Sequence, residues 1–346
     1  MRFRSLVLVW AFLTLACSRK PRERAARPGP GEPSSSRPVA ATLAKGVADG
    51  PFAVASGRTY WVARDGGIRK RDVEGNVVVV LPAGDVRAAG IDAMAASEDR
   101  LIWNDSLAGL FVSDGHQIRS VDVPVGNWTP AATSEGFYVR ANDTPRPLIR
   151  IGLDDAAPVE ITRESYGGWE LCAANGVLVI AGTSLRATRP RGLSLVEATV
   201  LSELSLSQIS CSGDGVVGFS SDLDGGAVVH VSLLNGDAKK VASVPYWSVY
   251  KDDAIVGGSV FVLFGVPRWP DGLQPAGEAA THLMRLVRYP LHGPSKPQAV
   301  DSWVGCPGMI RTDSGYVFWT DPCEGVLNRI GPFSDVTAST RRSSFA

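Results

Sequence analysis

Nothing in these 346 residues carries the signature of a nucleotide, zinc or hydrolase site. There is no phosphate-binding loop, no dinucleotide fingerprint, no GxSxG elbow and no HExxH pair. His116, His230, His282 and His292 are scattered without metal-ligand spacing, and no CxxC or CxxxC pairing supports structural zinc. No metal and no cofactor is therefore expected. No apolar run is long enough for a membrane-spanning helix, because the longest, Leu6 to Ala16, falls short of the roughly 20 residues required. Helical periodicity is scarce after residue 38, which excludes most α and α/β architectures. Basic charge is missing from the body. The whole chain balances 35 basic against 35 acidic residues, yet Arg2, Arg4 and the segment 18–38 hold the basic excess, leaving about −6 for the remainder. A mildly acidic body argues against nucleic acid as a partner, since phosphate binding needs a basic surface.

What is present begins with an address. Arg2 and Arg4 precede the apolar stretch, giving the charged head and short hydrophobic region of a secretory signal. The stretch closes in Leu13-Thr14-Leu15-Ala16-Cys17. This ending resembles the lipobox of bacterial lipoproteins, with Thr14 where Leu is usual. The resemblance implies that residues 1–16 are a signal peptide and that Cys17 is lipidated, with acyl chains such as palmitate on its thiol and new amino group. The alternative is an ordinary signal peptide that happens to contain a cysteine. Ser18 after the lipid-bearing residue, rather than Asp, is similar to an outer-membrane export signal. The expected location is the bacterial cell envelope, membrane-anchored through lipid and facing periplasm or surface. Residues 17–38 then form a tether of Arg, Pro, Gly and Ser with no large apolar side chain. Such a composition cannot offset its ordering entropy by burial, so a disordered leash is expected.

Beyond the tether a short hairpin recurs: a small-residue strand, a turn with Gly, Asp or Asn, then an aromatic or β-branched strand. Tyr60, Leu101, Phe137, Val177, Val216, Val260 and Tyr316 mark the second strands, spaced roughly 36–44 residues apart with one longer gap of about 56. The long gap fits a Pro- and Gly-rich surface loop over Pro267 to Glu278. A period near 40 with several strands per unit is the mark of a β-propeller blade. Third strands place Arg between apolar residues, as in Leu148–Ile151 and Asn328–Ile330, and Val77–Leu81 reads as a fourth strand. Val317-Phe318-Trp319-Thr320-Asp321 is similar to the repeats of Tyr-Trp-Thr-Asp-type propellers, with Tyr60-Trp61 and Trp103-Asn104-Asp105 as degenerate copies.

The expected fold is all-β: one propeller over residues 39–336, seven blades of four antiparallel strands. Six blades, or two β domains, are the alternatives. The seventh unit lacks an evident fourth strand before the polar tail 337–346, which is expected to be disordered, whereas Val39–Ala44 looks like one. The N-terminal strand should therefore complete the last blade and cover an edge prone to aggregation. Cys306 and Cys323 lie symmetrically about the turn Ser314-Gly315, which predicts a disulfide worth about 3 kcal/mol. Cys172 and Cys211 occupy equivalent places on adjacent inner strands, where a bridge or two buried thiols are equally consistent.

Trp128, Trp169, Trp247 and Trp303 each precede an inner strand, with Tyr166 and Tyr246 beside two of them. Loops feeding inner strands gather on one face of a propeller, so these aromatics are ligand-binding candidates for a protein, peptide or glycan. The competing role is filling wedge-shaped gaps between blades. Function is thus expected to be that of a non-enzymatic binding or scaffold module, for instance in outer-membrane protein assembly. The alternative is an enzyme, a lyase or glycan hydrolase, working at the channel mouth. Glu170 and Asp301 stand near Trp169 and Trp303, but no catalytic set is assigned.

Overall fold

The computed structural model describes residues 39–333, except 89, 143–146, 153–156, 163–167, 175, 192–193, 196–198, 214, 222, 224–225, 245–248, 268–281, 294–295 and 307. Seven four-stranded antiparallel sheets are formed, with inner strands Val47–Ala55, Ile91–Ser97, Trp128–Thr133, Gly168–Ala174, Ser207–Ser212, Val249–Val256 and Ile310–Asp313 for blades one to seven. Each inner strand touches the next, and that of blade seven returns to blade one, so the sheets close a ring. The protein is a seven-bladed β-propeller. Among the described residues the only helical turn is Val86–Ala88. A two-stranded hairpin, Pro190–Arg191 with Ser194–Leu195, interrupts blade four between its third and fourth strands.

The first described strand closes the last blade. Ala41–Lys45 pairs antiparallel with Val326–Ile330, matching Ala41 to Arg329 and Lys45 to Val326, as the outermost strand of blade seven. The strand runs slightly later than the sequence implied. The leader and tether lie outside the described residues, as do the segment 268–281 and the tail. On either side of that segment, Ser259–Pro267 and His282–Pro290 stay paired as far as Pro267 opposite His282.

Packing follows from alternation. A strand sends successive side chains to opposite faces, and each face of a blade meets a neighbouring blade. Every one of the seven junctions consequently has its own apolar cluster. The cluster at the junction of blades seven and one joins Leu327 and Phe318 to Ala44, Val47, Phe52 and Trp61, so the first and last described strands share one core.

The Trp and Asp of the repeat have separate tasks. Trp61, Trp103 and Trp319 are buried in second strands. Asp105 and Asp321 terminate theirs. Asp105 accepts hydrogen bonds from Gly90, Leu107 and Ala108 amides. Asp321 accepts from Cys306, Cys323 and Glu324. Each carboxylate therefore ties the loop feeding its inner strand to the turn leading into its third strand.

Both cysteine pairs are disulfides. Cys306 and Cys323, with Cα atoms 5.2 Å apart, sit just beyond the paired ends of the hairpin turning at Ser314-Gly315. That hairpin matches Asp313 to Tyr316 and Ile310 to Trp319, and the same register extrapolated outward sets the cysteines opposite each other. Cys172 and Cys211, Cα atoms 5.7 Å apart, join the inner strands of blades four and five, resolving the open choice in favour of a bridge.

Candidate functional site

The inner strands surround a central channel of about 330 Å³. Its wall is mostly small: Ala53, Ala93, Ala95, Ala132 and Ala173 contribute, together with the Cys172–Cys211 bridge. Small side chains leave the axis open. Against that lining stand three charged residues, Asp92, Glu170 and Arg311, from blades two, four and seven.

Local irregularity in the strands positions them. Inner strands of blades two, four, five and six carry bulges near their starts, at Ile91/Ala93, Gly168/Glu170, Ser207/Ser210 and Tyr250/Asp252. A bulge sets two residues against one and re-aims the side chains beside it. Asp92 is the extra residue in blade two, while Glu170 and Asp252 follow the extra residues in blades four and six. Gln208, inside the blade-five bulge, has φ of 52°, a left-handed conformation uncommon for a side-chain-bearing residue. Its backbone N–H donates to the Glu170 carboxylate.

Asp252 reaches from blade six to blade seven. One carboxylate oxygen accepts from Ile310 N at 3.1 Å and from Arg311 Nη1 at 2.8 Å, and the other accepts from Asp253 N at 3.0 Å. The Arg311 guanidinium also lies 5.8 Å from the Phe52 ring of blade one. Burial raises the Asp252 carboxyl above the usual aspartate range, and Arg311 only partly offsets this. Burial likewise raises Glu170, where the N–H of Gln208 and the positive charge of Arg311 pull downward while Asp252 pushes upward. Asp92 is raised by burial too, against a 2.8 Å hydrogen bond from Asn104 Nδ2. Two carboxyls, Glu170 and Asp252, thus share the field of one guanidinium, and Asp92 stands on the same channel wall. The arrangement can hold a cationic or hydrogen-bonding group, and its carboxyls retain protons more readily than solvated ones.

The aromatic candidates are placed differently. Trp128 begins the inner strand of blade three, is 4% exposed, and donates Nε1–H to the Pro124 carbonyl at 3.0 Å. It lies in the cluster between blades two and three. Trp303 belongs to the outer strand of blade six, Gln298–Gly305, rather than to a loop, and packs against the junction of blades six and seven, 5.9 Å from Trp319. Neither lines the channel. The side chains of Trp169, Trp247, Tyr166 and Tyr246 fall outside the described residues, as does Cys17. Asp301 lies on the same outer strand as Trp303, whereas Glu170 lies in the channel wall. Sequence reasoning passed over Asp92, Asp252 and Arg311. For Asp92 the signal was a charge inside an inner strand of small or apolar residues, Ile91-Asp92-Ala93-Met94-Ala95, whereas Asp252 sits between Lys251 and Asp253 and Arg311 shares its strand with Asp313, so neither stands out.

The fold and site define a seven-bladed propeller with an open, acid-bearing channel. No family profile and no curated protein sequence matches the chain. Solved structures share the fold. YCF48 bound to D1 peptide superposes with a TM-score of 0.57 at 13% identity, covering 86% of this chain and 96% of that one. Virginiamycin B lyase from Staphylococcus aureus gives 0.55 at 11% identity over 85% of this chain and 98% of that one. The computationally designed protein Ika8 gives 0.51 at 14% identity over 81% and 82%. At such identities the likeness is one of fold alone.

Proposed function

We propose that this chain is a lipid-anchored propeller of the bacterial envelope that binds a protein or peptide at the mouth of its channel without transforming it. Cys17 carries the anchor and residues 18–38 give the domain reach from the membrane. The open channel carries the reading: charged groups from several blades face a wall of small side chains, which suits insertion of a ligand side chain. Trp169, Trp247, Tyr166 and Tyr246, close in sequence to Glu170 and the blade-six inner strand, are its proposed aromatic contacts. The peptide-bound state of YCF48, a protein of the same fold, supports a polypeptide ligand.

Capture of envelope proteins by the soluble domain, residues 39–346, tests this. Filling the channel with Ala132→Trp and Ala173→Trp should abolish recovery of specific partners while the melting temperature is retained. Unchanged recovery by the filled channel refutes the site. One observation favours a second reading, an enzyme: Glu170 and Asp252 are acids raised by burial around one guanidinium, the type of set that moves protons. A captured ligand whose mass changes on incubation, and does not change with Glu170→Gln, would establish catalysis.

A further inference from the structure

The outer strand of blade one, Val77–Leu81, is an unguarded edge. Val77, Val78 and Val79 are 54%, 42% and 59% exposed. Other outer strands are interrupted by charge or polarity: Arg119 in blade two, Glu160 in three, Thr199 and Ser202 in four, Lys239 and Lys240 in five, Asp301 in six and Lys45 in seven. Charges on an edge discourage pairing with another chain, whereas an exposed aliphatic edge invites it.

A pocket of about 280 Å³ opens beside this edge, between blades one and two. Tyr60, Lys70 and Val78 stand in register across the second, third and fourth strands of blade one, and all three line the pocket. Tyr60 is 1% exposed, and its hydroxyl is buried without a hydrogen-bond partner. Lys70 is half-buried, and among the described residues no carboxylate pairs with it. Arg87 shares the wall, already held by Asp85, while Asp99 and His116 are exposed at the rim.

We propose that the Val77–Leu81 edge accepts an extended segment of a partner protein as a fifth strand, with an acidic side chain of that segment directed into the pocket onto Lys70. Strands lie 4.7–4.9 Å apart, so a residue following Val78 in the same row has its Cα about 10 Å from that of Lys70. A glutamate and a lysine side chain together bridge that gap on one face of the sheet. The main-chain bonds of the added strand supply affinity, and the pocket supplies preference for a carboxylate. This surface is separate from the channel, so its failure leaves the proposed function standing.

The test uses the full chain and fluorescent hexapeptides of alternating Val and Thr, with one central residue set to Glu or Lys. The Glu peptide should bind at least tenfold more tightly by anisotropy. Lys70→Glu should reverse the order, and Val79→Lys, which charges the edge, should weaken both peptides about tenfold. Unchanged melting temperatures establish that the variants fold. Equal binding of the two peptides, no binding of the Glu peptide at millimolar concentration, or an unreversed preference in Lys70→Glu overturns the proposal.

Discussion

If the strand Ala41–Lys45 locks the ring, a charge on its inward face must cost far more than one on its outward face. Ala44 is 8% exposed and lies in the cluster with Leu327, Val47, Phe52, Trp61 and Phe318. Thr42, two residues earlier, lies on the opposite face because a bulge between them pairs Thr42 with Asn328 and Ala44 with Leu327; it is exposed and donates its hydroxyl hydrogen to Asn328 Oδ1 at 2.9 Å. Ala44→Asp places a carboxyl among apolar side chains with no donor at hand, a penalty of roughly 3 kcal/mol at neutral pH. At roughly 2 °C per kcal/mol for a domain of this size, the melting temperature should fall about 6 °C. Thr42→Asp removes one solvated hydrogen bond and should cost about 0.5 kcal/mol or less. The pH dependence has a definite sign. A buried, unpartnered carboxyl has a raised folded pKa, so its penalty is full at neutral pH and shrinks as pH falls toward about 4, where the unfolded chain also binds the proton. Calorimetry of both variants at pH 7 and pH 4 reads all of this. Equal shifts for the two substitutions, or an Ala44→Asp midpoint within 1 °C of the parent, would refute closure by this strand.

The remaining expectations concern the channel and the bridges. Arg311→Ala strands the Asp252 carboxylate, whose side chain is 12% exposed; with the guanidinium itself 35% exposed, a loss of about 2–3 kcal/mol is expected in urea unfolding. Burial raises Glu170, so its stabilising proton is present at acid pH and lost as pH climbs through the folded pKa. Glu170→Gln should therefore gain stability relative to the parent as pH rises from about 4, and a constant difference from pH 4 to 8 would count against it. Cys172→Ala with Cys211→Ala opens a loop with a sequence separation of 39 and should cost about 4 kcal/mol. Non-reducing peptide maps should show Cys172–Cys211 and Cys306–Cys323 linkages, and an alkylatable thiol at any of the four contradicts the structure.

The ring was legible in the repeats of the chain. Blade number, the second-strand markers and the closing strand were all readable, because blades repeat one local pattern and each strand's alternation is written in consecutive residues. The bridge between Cys306 and Cys323 was readable for the same reason: hairpin register propagates symmetrically from Ser314-Gly315. Cys172 and Cys211 showed only their equivalence, since the distance between adjacent inner strands is set by how blades pack rather than by any local pattern. Of the site, only Glu170 was noticed in the sequence, without a role; its assembly belongs to the tertiary structure. Asp92, Glu170, Asp252 and Arg311 come from four blades, and bulges shift the alternation that would otherwise tell which way each side chain points. For Trp128 and Trp303, position before an inner strand could not separate a ligand face from a gap between blades; the packing put both in the gaps. Periodicity is a property of neighbours along the chain, but convergence on an axis exists only once the circle has closed.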